Sequence, residues 1–163
     1  MKVAVLADTH IRRGGRRRLP DAVYAVLDTA DAILHAGDLL VAEVLDELSG
    51  FAPVHAVLGN NDHELFGVLP ETCVVDLAGV EVAMVHDTGP AKGRERRVRT
   101  RFPAAPLVVY GHSHIPADVI GLEGQRLFNP GSSTERRTQP AHTMGVLDLD
   151  DGHIVDHRIL VLD

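Results

Sequence analysis

Five short apolar runs in this chain each end in side chains that bind cations, and this repetition limits the fold more than any other feature. The run at 3–7 leads into Asp8-Thr9-His10, that at 33–36 into Gly37-Asp38, and that at 54–58 into Gly59-Asn60-Asn61-Asp62. The runs at 82–85 and 108–110 lead into His86 and into Gly111-His112-Ser113-His114. Short Val-rich runs of this kind predict buried strands, and in open α/β sheets ligands gather beyond the carboxyl ends of the strands. A spacing of two, as in Asp8-x-His10 and His112-x-His114, puts both side chains on one face of an extended segment. Glycines before Asp38, Asn60 and His112 allow sharp turns and close backbone approach. Any one fragment alone reads as a loop or a satisfied core residue; five in step read as a single site.

The remaining pattern fills in the frame. A strand at 2–7 is followed by a helix beginning at Leu19-Pro20-Asp21, with Leu19, Val23, Val26, Leu27 and Ala30 on one face. A strand at 32–36, an amphipathic helix at 41–48 and a strand at 53–58 complete a βαβαβ order, which implies parallel strands covered by helices. Next, 73–77 and 80–85 flank Ala78-Gly79 as a hairpin, 90–102 is helical in part, and 107–110 is a buried strand. From residue 115 onward come short strands with turn signals at Gly121, Gly124, Asn129-Pro130-Gly131 and Asp151-Gly152. The expected fold is α/β: two facing β-sheets, a mixed sandwich, flanked by helices. At 163 residues it forms one domain spanning 1–163, long enough to bury a sizeable core.

Composition narrows the function classes. No run approaches the roughly 18 apolar residues of a membrane span, and the first residues do not read as a signal peptide. A lone cysteine, Cys73, excludes an internal disulfide and fits a reducing, cytoplasmic setting. The net charge of −7 argues against stable nucleic-acid binding. Yet ten of the 14 arginines sit at 12–18 and 94–101, and such local clusters predict an anion site rather than a basic coat. Arginine favours bidentate contact with phosphate.

Taken together, Asp8-Thr9-His10, Gly37-Asp38, Gly59-Asn60-Asn61-Asp62, His86 and Gly111-His112-Ser113-His114 resemble the calcineurin-like metallophosphoesterases. The pattern is most similar to their short bacterial and archaeal phosphodiesterase branch, and it covers residues 1–134, including Asn129-Pro130-Gly131-Ser132. The resemblance implies two divalent metal ions. Asp8, His10 and His114 would hold one, Asn60, His86 and His112 the other, with Asp38 bridging. The donor mixture suits Mn²⁺ first, with Fe, Zn²⁺ or Ni²⁺ as alternatives. Asp38, Asn60 and His112 would then act in catalysis through a metal-activated hydroxide attacking a phosphoester, a diester above all, with monoesters and cyclic nucleotides also in view. Many members carry His directly after the metal-binding Asn; here Asn61 stands there and cannot act as a general acid, leaving His63 as the nearest substitute. Asp87-Thr88 replaces the Gly that commonly follows His86, and Asp87 reads equally as a ligand-orienting group or a turn cap. Arg12, Arg13, Asn61 and His63 are the expected contacts to a small phosphorylated substrate. Homo-oligomerisation is compatible with the sequence. The alternative is a non-catalytic scaffold of the same fold, as in the small subunit of the retromer coat; a nuclease ranks below both.

Overall fold

The computed structural model describes all residues, 1–163. Strand β1 (Lys2–Leu6) shows how the sequence builds its layers: Val3 and Val5 join one core while Ala4 and Leu6 join another. That period-two alternation continues in β2 (Ala32–His35), where Leu34 follows the first core and Ile33 the second. Helices α1 (Asp21–Leu27) and α2 (Ala42–Ser49) close the second core with Val23, Leu27, Val44 and Leu48. With β3 (Val54–Ala56) these elements give the expected βαβαβ unit, β1, β2 and β3 pairing in parallel.

The second half forms the facing sheet. Strands β4 (Thr72–Leu77) and β5 (Val80–Val85) make a hairpin through Ala78 and Gly79, both at positive φ as a type I′ turn requires. Helix α3 (Arg94–Arg101), β6 (Leu107–Val109), β7 (Ala117–Ile120), β8 (Arg126–Asn129), β9 (Thr143–Asp150) and β10 (His153–Val161) complete the chain. The two five-stranded mixed sheets run β10-β9-β1-β2-β3 and β4-β5-β6-β8-β7. On β5 and β6, Val82, Met84, Leu107 and Val109 meet the first sheet, while Ala83, Val85 and Val108 pack on Val98 and Phe102 from the α3 side. The result is four layers, helix–sheet–sheet–helix, with each buried Val or Leu contributing about 1.5–3 kcal/mol. Gly145 is required at the centre: a Cβ there would lie 2.4 Å from the Phe128 ring.

Several elements are shorter than the sequence pattern predicts. Pro20 occupies the N-cap of α1, so Leu19 is buried ahead of the helix rather than in it. β3 ends at Ala56 because Leu58 turns its N–H to the Pro70 carbonyl at 2.8 Å, leaving the ladder. Strands β1, β2 and β3, and β5, β6 and β8 in the other sheet, are parallel within their sheets. The loops at their carboxyl ends therefore bring residues 8–10, 37–38, 59–62, 86 and 111–114 together.

Candidate metal centre

Each ligand-bearing loop leaves its strand through a tight turn. Asp8, His10, Asp38, His112 and His114 all adopt positive φ, between 46° and 70°. Such left-handed residues cost about 1–2 kcal/mol apiece and persist where surrounding structure over-determines them. Here the loops are stitched to one another: Asp8 N–H donates to the Gly37 carbonyl, His10 N–H to the Asp38 carbonyl, and Gly111 N–H to the His86 carbonyl, each at 2.9 Å. Gly59 admits the closest approach, since a Cβ on it would sit 2.1 Å from Asp38 Oδ1.

The side chains converge as two trios. His10 Nε2 and His114 Nε2 are 3.2 Å apart, with Asp8 Oδ1 at 4.0 and 3.6 Å from them. Opposite them, Asn60 Oδ1 lies 3.0 Å from His86 Nε2 and 3.1 Å from His112 Nδ1. Asp38 Oδ2 sits between the trios, 3.4 Å from His10 Nε2 and 3.5 Å from His86 Nε2. Asp8 reaches both sides as well: Asp8, His10 and His114, and likewise Asp8, Asp38 and His86, each bring ligand atoms within 4.8 Å of one another. Two donors around a tetrahedral cation with metal–nitrogen bonds of 2.0–2.1 Å would be about 3.3 Å apart, close to the His10–His114 spacing.

Protonation decides what this cluster can hold. His86 donates its Nδ1–H to the Ala36 carbonyl at 2.7 Å, and His114 donates its Nδ1–H to the Glu135 carbonyl at 2.5 Å. A carbonyl only accepts, so in the neutral imidazoles both Nε2 atoms carry lone pairs that face the cluster. Burial holds His10, His86 and His114 below the ordinary histidine pKa, favouring those neutral forms. Asn60 Oδ1 therefore faces the His86 lone pair, acceptor against acceptor. Asp8 Oδ2 is buried without any hydrogen-bond partner. Such an arrangement is unfavourable unless a cation lies between the donors, and the mixture of imidazole, carboxylate and amide oxygen fits a divalent metal.

The two aspartates divide electrostatically. Burial, aided by the charge of Asp38, pushes Asp8 up to about 8. Burial alone would raise Asp38 too, but His86 and two hydrogen bonds from Asn61 outweigh it and hold Asp38 below the usual carboxylate range. Because the folded chain binds the Asp8 proton more tightly than the unfolded chain, stability conferred by that proton is full below pH about 4. It is lost as pH rises through about 8. Metal uptake competes for the same oxygen, so affinity should rise with pH up to about 8 and each chain should release close to one proton at pH 7. Calorimetry in buffers of differing ionisation enthalpy measures that proton; a buffer-independent heat would contradict it.

Several supporting residues had no role assigned from sequence. Fully buried Asp62 accepts three backbone N–H bonds, from Asp38 and Gly59 on Oδ2 at 2.8 and 2.7 Å and from Leu40 on Oδ1 at 2.7 Å. Beyond β8, Asn129 donates to the Gly111 carbonyl, Ser132 Oγ to the Asp8 carbonyl and Thr134 Oγ1 to the Thr9 carbonyl. The signal for this brace was the Asn129-Pro130-Gly131-Ser132 turn at a sixth strand end. His35, buried and held near pKa 3 by its burial, meets Thr9 Oγ1 at 3.2 Å.

The expected substrate contacts separate. Arg12, Arg13, Asn61 and His63 all line a cleft of about 960 Å³ that includes His10. Within it, Arg13 is tied to Glu43 and Glu64. Asn61 donates its backbone and side-chain N–H groups to Asp38, at 2.9 and 2.8 Å. His63 packs edge-on against Phe66. The second arginine cluster does not reach this cleft: Arg97 bonds loop carbonyls including that of Thr88, and Arg99 pairs with Glu123. Asp87 caps its turn through the Gly89 N–H at 2.7 Å.

The clustered histidines and carboxylates at the carboxyl ends of strands in two facing sheets form a candidate metal centre. Residues 1–152 match the model of the calcineurin-like phosphoesterase superfamily domain, and the chain belongs to that superfamily. A probable metallophosphoesterase of Methanothermobacter thermautotrophicus is 32% identical over 162 residues, covering 98% of this chain and 92% of that one. Among solved structures, Entamoeba histolytica Vps29 complexed with Zn²⁺ is similar at a TM-score of 0.78 and 21% identity, each chain covered in full. YfcE, a phosphoesterase from E. coli, is similar at 0.60 and 23%, again over both whole chains. These two likenesses establish the fold.

Proposed function

We propose that this member of the superfamily is a dinuclear-metal phosphoesterase that hydrolyses phosphodiester bonds of small phosphorylated substrates in the cytoplasm. One observation carries the reading: lone-pair donors on opposed loops point at one another, with Asn60 Oδ1 3.0 Å from His86 Nε2 and Asp8 Oδ2 unpartnered beside them. Asp8, His10 and His114 would hold one ion and Asn60, His86 and His112 the other, with Asp38 reaching both. Mn²⁺ is the first candidate, and Fe, Zn²⁺ and Ni²⁺ the alternatives. When bound, two such ions supply Lewis-acid polarisation of a phosphoryl oxygen and a hydroxide nucleophile near neutral pH.

The chain's own groups do the rest. Asn61 clamps both oxygens of Asp38 and fixes that carboxylate between the trios. The carbonyls of Ala36 and Glu135 fix the tautomers of His86 and His114. Because Asn61 stands where a general acid would be needed and an amide gives up no proton, esters of good leaving groups should react fastest. No helix is long and apolar enough to cross a membrane.

A second reading, a metal-binding scaffold for protein assembly, draws on the likeness to Vps29. A hydrolysis screen separates the two. Mn²⁺, Ni²⁺, Zn²⁺ and Mg²⁺ are each combined with aryl mono- and diesters, cyclic nucleotides and dinucleotides. The expected result is Mn²⁺-supported turnover of aryl diesters that His112→Ala abolishes. Stoichiometric metal uptake with no turnover of any ester would favour the scaffold, and turnover surviving His112→Ala would remove the mechanism.

A further inference from the structure

The cleft beside the metal centre has a charge of its own. Five arginines and two glutamates line it, a net charge of +3 in a chain whose total is −7. Two of those arginines are already used: Arg13 by Glu43 and Glu64, and Arg17 by Glu135 and the His10 carbonyl. Those contacts pin the 12–18 loop against the site, with Arg17 touching the backbone of a candidate ligand. Arg12, Arg16 and Arg137 pair with no carboxylate and stay exposed along the wall. Arg137 itself sits at φ 52° and extends Nη1 to within 3.4 Å of the His112 carbonyl, on the opposite trio. Three unpaired guanidiniums are therefore held around an opening whose inner end is the donor cluster. An anion entering the cleft therefore meets guanidiniums that no carboxylate already holds.

The lining also limits the rest of the ligand. Leu40 and Val41 are its two apolar residues, and it holds no Phe, Tyr or Trp. Its only aromatic rings are imidazoles: His10 stacks on His114, and His63 packs edge-on against Phe66. Resting on the phosphoesterase reading above, we infer that the substrate carries at least one further phosphate group beyond the scissile one, on a polar body. Arg12, Arg16 and Arg137 bind that second phosphate. Guanidinium–phosphate pairs are commonly bidentate, and three guanidiniums together favour a multiply charged phosphate over a singly charged carboxylate.

The test measures binding, on the full-length metal-free chain so that the probe cannot act by chelation. Inorganic tripolyphosphate and orthophosphate are titrated calorimetrically at low ionic strength. Tripolyphosphate should bind at least about 10-fold more tightly than orthophosphate and weaken as salt is raised. The R12Q/R137Q variant should lose about 10- to 100-fold in tripolyphosphate affinity. R12K/R137K should recover part of the loss. The R18Q/R96Q variant removes the same charge outside the cleft and should bind as wild type does. Equal losses in R12Q/R137Q and R18Q/R96Q, or no preference for tripolyphosphate, would overturn the inference. The screen of aryl diesters stands apart: turnover without tripolyphosphate binding overturns the cleft assignment alone. Tripolyphosphate binding without turnover of any ester overturns the hydrolase reading, and with it the claim that the polyanion is a substrate.

Discussion

Asp62→Ala is expected to cost the fold about 3–5 kcal/mol, a large share of the 5–15 kcal/mol that stabilises a typical domain. The carboxylate is fully buried and is the acceptor for the N–H groups of Asp38, Leu40 and Gly59. Removing it strands three donors, each costing about 1–3 kcal/mol, offset in part by water entering the gap. The same donors shape the turn that presents Asp38, so the loss should extend to metal affinity. Asp62→Asn keeps one acceptor oxygen and should fall between wild type and Ala. Urea denaturation measures the effect; an unchanged midpoint for Asp62→Ala would mean that the three N–H groups find other partners.

Asp38→Asn should do the reverse, sparing the fold while removing activity. The amide keeps the shape of the side chain and one oxygen to accept from Asn61, whose two N–H groups now meet both carboxylate oxygens. It deletes a negative charge that helps push Asp8 up to about 8, so the metal-free variant should be at least as stable as wild type above neutral pH. Turnover of an aryl diester should drop by about 10³-fold or more, since losing transition-state stabilisation of several kcal/mol costs a factor of ten per 1.36 kcal/mol. The contrast between Asp62→Ala and Asp38→Asn separates a residue that builds the loop from one whose charge is used. Wild-type turnover in Asp38→Asn would remove Asp38 from the chemistry.

Sequence pattern and final structure agree best where strand ends carry the signal. Short apolar runs followed by Asp, His or Asn can be read locally, and the parallel order of β1, β2 and β3 then places those ends on one edge. The division into His10/His114 and His86/His112/Asn60 sides came from the family resemblance; His10 and His114 lie 3.2 Å apart, and Asn60 lies 3.0 and 3.1 Å from His86 and His112. What lay beyond the sequence depends on contacts between distant segments. Nothing local distinguishes Asp62 from any acidic loop residue, because its three donors come from two different turns. The arginines at 94–101 look like those at 12–18 in sequence. Helix α3, however, packs on the outer face of the second sheet, and that layer assignment follows from topology rather than charge. Nor could the pairing of Arg13 with Glu43 of α2 and with Glu64, which follows β3, be foreseen.

The most direct test of the centre is a calorimetric titration of the chelator-treated chain with Mn²⁺ at pH 8, followed by metal analysis of the separated protein. Two equivalents per chain are expected for wild type, with His112→Ala retaining one, because His112 belongs to only one trio. Fewer than two equivalents in the wild-type chain, or two equivalents undiminished by His112→Ala, would contradict a centre built from these seven side chains.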